Sequence, residues 1–484
     1  MPAQGRRGCC TPPMLYCARM IGPSTEEVPV PEPRRPARYF SPSFTVFCTV
    51  VAIVLVSLYA APWRGSPLDQ LERPAESLER LVTRDLDVRD ALRSAPRWEQ
   101  GLYALLAGAD DPVAEALRWY DELLEVVDGE TPALYHAILQ AEAGEPAPDD
   151  EQADEAVVAA YSPRPVAPEE ARALITRIRA TLPQNWFTDT LVARIARKAG
   201  DLSTAERAQA DIVTRGRGLL GRWLGLTATE LTLVVLTIAL LVVARARGGI
   251  PRLGAAPLPP TWGFADGYAL VVRGVLGLLG LTLVILFLFP DAHDLLRVAS
   301  FAAGLPVILW TIAYHRARGE SFRAAFGLDL PWGRLGWLVG TALVLAGVGG
   351  AAEAGMGALA NALGVETHWA DGLPEDLLWD PPWQVVLGTL DTVIWTPFVE
   401  ELTFRGLLYG TLRTQTGPPL AALASACIFA IAHGYGPTGF LSVLISGLLW
   451  AIAYERTRSL LPGILAHAAN NLSVTVTYLL LLRF

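Results

Sequence analysis

The sequence predicts an all-α, polytopic membrane protein with about nine transmembrane helices and an inserted soluble helical domain. Three observations predict this class: apolar runs recur along the chain, charged residues concentrate in one long stretch, and apolar positions within that stretch recur at helical spacing. Of the 484 residues, 52% are hydrophobic, and the mean hydropathy is +0.34. One soluble domain does not normally bury so much apolar surface, so we expect a lipid environment.

The N-terminal region contains a tail and an apolar segment. Residues 1–42 are rich in Pro and Arg and lack apolar periodicity, so we expect them to be disordered. Residues 43–61 include an almost uninterrupted apolar run that approaches the roughly 20 residues a spanning helix needs. A cleaved signal peptide would begin nearer the N-terminus, so we interpret this segment as an uncleaved transmembrane anchor.

Residues 62–223 have the character of a soluble helical domain. Segments such as PVAEALRWYDELLEVV place apolar residues three and four apart, and breaks rich in Pro, Gly and acidic residues divide the stretch into about six helices. None of the five cysteines lies in this stretch, so no disulfide framework or CxxC metal site is expected there. We interpret it as a structural or regulatory domain and not as a second catalytic site.

Eight further apolar runs follow, divided between transmembrane helices in residues 224–325 and a catalytic core in residues 326–484. Several runs are short or are interrupted by Gly and polar residues, which is typical of helices packed around a site within the membrane. With the anchor they give nine predicted spans. The runs are 224–243, 268–289, 298–314, 335–363, 385–399, 420–432, 440–454 and 460–482.

Arginine placement predicts the orientation. Arginines concentrate in alternate short loops, such as 245–252 and 316–323, and such loops stay in the cytoplasm. This pattern puts the N-terminus inside the cell and places residues 62–223 and the C-terminus outside. Arg215, Arg217 and Arg222 do not follow the rule, because they lie on the predicted outer side of the second span. Lys198 is the only lysine, and together with abundant Ala, Gly and Pro this favours a bacterial inner (plasma) membrane.

The overall charge excludes one class of partner. The formal net charge is -9, and no stretch interleaves basic and aromatic residues. Nucleic-acid binding needs a basic surface that displaces counterions, so we expect no nucleic-acid partner.

The segment PFVEELTFRGLLYG brings ionisable residues to the end of the sixth predicted span. Each such group costs on the order of 2.5 to 3.5 kcal/mol to insert, so by default it indicates a functional site. On a helix Glu401 and Arg405 share a face and can pair, whereas Glu400 points about 100° away. Glu400 is therefore the carboxylate available as a general base.

Two further polar pairs lie in later spans. FAIAHG places Phe429 and His433 one turn apart, and ILAHAANN does the same for His467 and Asn471. A buried carboxylate, two imidazoles and a carboxamide supply a base for water and donors for an oxyanion, without a Ser or Cys nucleophile. Each pair taken alone is also typical of structural contacts between helices.

The order of these motifs resembles a known family. EELTFR, FAIAH and HAANN match the EExxxR, FxxxH and HxxxN signatures of the CPBP family, which comprises CAAX proteases and bacteriocin-processing (Abi) proteins and includes the type II CAAX prenyl endopeptidases. The resemblance covers about residues 326–482, begins at FGLDL and shows no departure at a signature position.

The resemblance implies an intramembrane endopeptidase that cleaves a peptide or protein substrate near the surface of the lipid bilayer. Glu400 and His433 would activate water, and His467 and Asn471 would line the oxyanion hole. Glu401, Arg405 and Phe429 would support them. This glutamate-type mechanism requires no metal, but Glu400, His433 and His467 could instead hold Zn²⁺ as a metalloprotease site with an open position.

Alternatives of other classes remain open from the sequence. A non-proteolytic membrane scaffold or a bacteriocin-immunity protein could use the same polar cluster to bind a partner. A transporter predicts inverted repeats, which the two halves lack. The predicted topology places Glu400 near the inner face and His433 nearer the outer end of its span, and Glu353 could line a substrate route or serve packing.

Overall fold

The computed structural model describes residues 39–59, 66–108, 111–144, 154–247, 262–289, 301–329, 332–365 and 368–484. The regular structure within these ranges is helical throughout, which confirms the predicted all-α class. Most of the predicted disordered tail falls on residues 1–38 and lies outside the described residues. The first helix, α1 (Pro42–Tyr59), coincides with the predicted anchor.

Residues 66–201, which we call the helical domain, form seven helices in the described part of the chain, one more than about six. Asp111, Asp154 and Asn185 cap three of these helices through side-chain oxygens that accept from backbone N–H groups. Apolar residues at helical spacing meet in one core, where the Tyr135 and Phe187 rings stack 4.1 Å apart. The helices are α2 (Pro74–Leu92), α3 (Arg97–Ala107), α4 (Pro112–Val126), α5 (Glu130–Glu142), α6 (Glu155–Tyr161), α7 (Pro168–Thr181) and α8 (Trp186–Lys198).

Helix α9 (Leu202–Ala246) joins the helical domain to the membrane part without a break. Its 45 residues span about 67 Å at 1.5 Å per residue. The predicted domain boundary at residues 223 and 224 therefore lies inside one continuous helix. Arg215 ties this helix to α2 and α8, because its guanidinium lies 2.9 Å from Asp87 Oδ2 and 2.6 Å from Asp189 Oδ2.

Nine further helices make up the rest of the described chain. They are α10 (Phe264–Leu288), α11 (Leu305–Ala317), α12 (Phe322–Ala325), α13 (Trp332–Leu363), α14 (Glu375–Trp379), α15 (residues 382–416), α16 (Pro418–His433), α17 (Pro437–Thr457) and α18 (Leu461–Tyr478, continued by a wider turn to Arg483).

The polytopic class is confirmed, but the count of nine spans is not. By length and composition, five helices among the described residues could cross a membrane: Leu202–Ala246, Phe264–Leu288, Trp332–Ala360, Pro437–Thr457 and Leu461–Arg483. Pro42–Ser57 and Pro418–His433 are apolar but shorter. The predicted runs at 298–314 and 385–399 also fall on helices where they are described, at α11 and in the first half of α15.

Helix α15 contains two π-helical stretches. It is wound as a π-helix at Asp391–Trp395 and again at Glu401–Tyr409, with α-helical turns at Pro382–Leu390, Thr396–Glu400 and Gly410–Thr416. A π turn adds one residue to the turn and so re-aims the side chains that follow, and such turns are frequent at functional sites.

The helical domain contacts the loop before α15 and the C-terminal turn. The Glu375 carboxylate accepts from the backbone N–H of Arg73 at 3.0 Å and from Ser77 Oγ at 2.7 Å. Arg222 donates to the carbonyl of Leu480, and Arg483 donates to that of Leu377, each at 2.7 Å. The helical domain and the C-terminus therefore lie on the same side of the molecule.

Candidate active site

A buried ion pair lies at the middle of α15. Arg405 Nη1 donates to Glu401 Oε1 at 2.8 Å, and both side chains are 1% exposed. The Arg405 guanidinium also lies 4.1 Å from the Phe429 ring centre and 4.9 Å from that of Trp450. Such cation–π contacts stabilise a charge that has left water. The contact that the i, i+4 spacing predicts is thus present.

Two glycines leave room for this ion pair. A Cβ added at Gly463 would lie 2.7 Å from Glu401 Oε2, and one at Gly447 would lie 2.9 Å from Arg405 Nη2. Neither glycine stood out in the sequence, because the close approach joins α15 to α18 and to α17, which are distant along the chain.

Glu400 has different surroundings from its neighbour. Its side chain is 27% exposed, and Oε2 is buried but accepts no hydrogen bond from the described residues. His467 Nε2 lies 3.6 Å from this Oε2, and His467 Nδ1 lies 3.4 Å from Glu401 Oε1. The His467 imidazole, 4% exposed, is therefore placed between an ion-paired carboxylate and an available one.

His433 ends α16, which stops at Gly434 in the left-handed conformation with φ 66°. Its Nδ1 lies 2.8 Å from the carbonyl oxygen of Phe429. A carbonyl only accepts, so Nδ1 carries the proton, and in the neutral ring Nε2 is left as an acceptor. The Phe429 ring lies 4.5 Å from the His433 ring and 5.9 Å from the His467 ring, and so it connects the two imidazoles.

Asn471 lies one turn after His467 on α18. Its Nδ2 donates to the Thr392 carbonyl at 2.8 Å, in the first π-helical stretch of α15. A carboxamide nitrogen carries two N–H groups, so this contact fixes the side chain while leaving the second donor for another acceptor.

Two features of the site were missed in the sequence. Trp450 on α17 stacks on the His467 ring at 4.3 Å and 20° between planes, which fixes that imidazole from one face. Glu455 accepts from Tyr409 at 2.6 Å and from Arg413 Nε at 2.6 Å, which holds the second half of α15 against α17. A carboxylate at the end of an apolar run was the only sequence signal for Glu455.

One cavity of about 1060 Å³ collects these groups. Glu400, His433, His467 and Asn471 all line it. Glu400 and His433, which the predicted topology places toward opposite ends of their spans, therefore line one cavity. The cavity extends from Glu400 to the helical domain, where Tyr103 forms part of its wall. Burial raises the pKa of Tyr103 to about 12, so its hydroxyl stays protonated and neutral.

The predicted zinc ligands share this cavity without forming a metal centre. Among the described residues, no group of three or more His, Cys, Asp or Glu side chains is placed to hold a metal ion. Glu400, His433 and His467 thus do not converge on one point in this arrangement. Dependence on a metal stays a prediction.

Comparison with known proteins agrees with this geometry. Residues 382–473 match the family described as "Type II CAAX prenyl endopeptidase Rce1-like". Over 191 residues the chain is 27% identical to the "Putative membrane peptidase YdiL" of Bacillus subtilis (strain 168), an alignment that covers 39% of this chain and 73% of that protein. No solved structure matches the chain. The matched family segment contains all seven residues of the three signature motifs.

Proposed function

Since residues 382–473 carry the match to the Rce1-like CAAX endopeptidases, we propose that this chain is an intramembrane endopeptidase of the glutamate type. It hydrolyses a peptide bond near the membrane surface. The observation that carries the proposal is the pairing of Glu400 with His467 at 3.6 Å in a cavity that His433 and Asn471 also line.

The attacking water is activated between Glu400 and His433. Glu400 Oε2 accepts no hydrogen bond from the described residues, so it can accept one from water, and His433 Nε2 can accept the second. The water oxygen bonds to the carbonyl carbon of the substrate while its proton passes to the Glu400 carboxylate. Glu401 cannot replace Glu400, because Arg405 holds it in a buried ion pair.

The developing oxyanion is stabilised from α18. Its donors are a ring N–H of His467, held by Trp450, and the N–H of Asn471 that Thr392 does not use. The intermediate collapses when the carbon–nitrogen bond breaks and the leaving amine takes the proton from Glu400. The products are a carboxylic acid and an amine, and Glu400 is again ionised.

We further propose that the protein lies in a bacterial inner membrane with its N-terminus in the cytoplasm and the helical domain outside. The arginine pattern supports this orientation. The contacts of Arg222 and Arg483 support the shared side of the helical domain and the C-terminus.

Cleavage of a single-span reporter by the full chain in proteoliposomes tests the mechanism. We expect Glu400→Gln and His433→Ala each to lower kcat roughly 10²- to 10⁴-fold, the usual contribution of a general base. Glu230→Gln removes a carboxylate from α9 that does not line the cavity and is the matched control; it should leave kcat unchanged. A chelator arm tests the metal separately.

Normal folding of each variant is checked by thermal unfolding in detergent. Unchanged cleavage by a folded Glu400→Gln variant would overturn the proposal and leave the non-proteolytic scaffold as the better explanation. Loss of cleavage on chelation, restored by Zn²⁺, would replace the glutamate mechanism with a metal-dependent one.

A further inference from the structure

The helical domain forms one wall of the cavity that holds Glu400. Tyr103 on α3 and Trp119 on α4 line this wall, as do Arg84 and Asp85 on α2. Helix α13 also contributes to the lining, through Glu353 and Met356. A substrate that reaches Glu400 through this cavity therefore passes residues of both the helical domain and α13.

The cavity lining is acidic. Besides Glu400 it contains five carboxylates and two guanidinium groups. Arg84 is paired with one of those carboxylates, since its Nη2 lies 2.6 Å from Asp85 Oδ1. The five carboxylates are Asp85, Glu115, Glu353, Asp371 and Asp376.

One of these carboxylates lies beside the candidate catalytic groups. An added Cβ on Gly436 would lie 2.7 Å from Asp371 Oδ2, so Asp371 is beside the loop that follows His433. Glu353 also lines the cavity and comes from a different element, α13. Acidic side chains thus enter the lining both beside the His433 loop and from α13.

The inner end of the cavity carries an independent sign of a ligand. Glu400 lines the cavity, and its Oε2 is buried, lies 3.6 Å from His467 Nε2 and accepts no hydrogen bond from the described residues. A buried polar atom without a partner is costly unless a bound group or water satisfies it. The acidic lining and this unsatisfied carboxylate oxygen therefore belong to one polar cavity.

From these observations we propose that the helical domain, as one wall of the cavity, determines which substrates the peptidase accepts. The cavity takes a peptide segment that leaves the membrane on the helical-domain side and carries Lys or Arg beside the cleaved bond. Carboxylates in a cavity of reduced polarity attract cationic side chains more strongly than they would in water, and they repel anionic lipid headgroups. A volume of about 1060 Å³ accommodates several peptide residues. This inference rests on the proposed peptidase function.

Reporters that differ only in charge test the specificity. The full chain in proteoliposomes is given single-span reporters with three Lys, three Glu or three Gln residues beside the membrane. We expect kcat/KM for the Lys reporter to exceed that for the Glu reporter by roughly tenfold, as for close charge pairs across interfaces. The Glu353→Gln/Asp371→Asn variant should reduce this ratio to about two.

Glu169→Gln is the matched control, because it neutralises an exposed carboxylate of the helical domain that does not line the cavity. It should leave the ratio intact. Equal cleavage of the Lys and Glu reporters by the wild-type chain would overturn the proposal, as would a ratio unaffected by the double variant.

A binding measurement separates this inference from the peptidase function. In the Glu400→Gln chain, a photoreactive phenylalanine replaces Tyr103 on the wall or, as a control, Trp98 on the same helix, which is 61% exposed and does not line the cavity. The Lys reporter should cross-link at position 103 and not at 98. Cross-linking without cleavage by the wild-type chain would refute the peptidase function only. Cleavage without cross-linking would refute the proposal that the helical domain contacts the substrate.

Discussion

Glu400 and Glu401 are adjacent in the sequence and have different contacts. Glu401 is buried and is held by Arg405 at 2.8 Å, and two aromatic rings cover the guanidinium of Arg405. Glu400 lines the cavity with an oxygen free to accept from water. One step along the helix thus separates a structural charge from a chemically available one.

Removing the cation alone is expected to destabilise the fold. Arg405→Met leaves Glu401 buried without its partner and should lower the free energy of unfolding by about 3 to 5 kcal/mol. The Glu401→Gln/Arg405→Met double variant should recover most of this loss, because no unpaired charge remains. Chemical unfolding in detergent micelles measures all three proteins. A double variant as unstable as the single one would show that the loss comes from the missing contacts of Arg405 and not from an unpaired charge on Glu401.

Gly463 tests how closely α18 approaches this pair. A Cβ at Gly463 would meet Glu401 Oε2 at 2.7 Å, so Gly463→Ala should displace the carboxylate and lower both thermal stability and kcat. Gly349→Ala is the control, because nothing lies within 4 Å of that Cβ position on α13. Ala is about 0.5 to 1 kcal/mol better than Gly within a helix, so the control should be neutral or stabilising. Equal effects of the two substitutions would contradict the contact.

At the scale of elements, α9 is positioned by close packing against α2. Gly216 permits the approach, since an added Cβ would lie 2.0 Å from the backbone oxygen of Asp87. The nearby Arg215 bridges Asp87 and Asp189, so the two helices and α8 are fixed at one point. A backbone atom cannot move aside as a side chain can.

Gly216→Ala should therefore separate α2 from α9. We expect a loss of at least about 1 to 3 kcal/mol, the usual cost of overpacking. Gly221→Ala on the same helix has open space around the added Cβ and should cost nothing. Hydrogen exchange of the amides in α2 and α8 reports the change, and unaltered exchange in the Gly216→Ala variant would refute the close approach.

The elements also show what the sequence could and could not predict. Local spacing predicted the Glu401–Arg405 contact and the shared faces of Phe429 with His433 and of His467 with Asn471. Contacts between distant helices, such as Trp450 on His467 and Gly463 beside Glu401, have no periodic signal. The count of nine spans is not confirmed, because only five helices among the described residues are long enough to cross, and a run such as 420–432 falls on a shorter apolar helix.

At the scale of the whole molecule, the helical domain and the membrane helices meet at Glu375. Its carboxylate accepts from the start of α2, and Trp379 nearby donates to Ser77 at 3.1 Å. No sequence pattern predicted that the helical domain would share a cavity with Glu400, because neither region carries a motif that identifies the other as its partner. The contacts at this junction keep the helical domain in the position where it lines the cavity.

Glu375→Gln should loosen the junction. A hydrogen bond to a charged acceptor contributes about 1.5 to 3 kcal/mol, so loss of the carboxylate should speed hydrogen exchange over residues 67–80 and lower kcat/KM. Glu169→Gln serves as control on an exposed face of the same domain and should change neither quantity. Faster exchange with unchanged kcat/KM would show that the domain is not needed at its observed position.

Helix α9 acts as an unbroken lever between bilayer and cavity wall. Over its length of about 67 Å, a 5° change of tilt at one end displaces the other by about 6 Å. Bilayers of different thickness change the tilt of spanning helices. A change in bilayer thickness would thus be transmitted along α9 to the helical domain, which lines the cavity that holds Glu400.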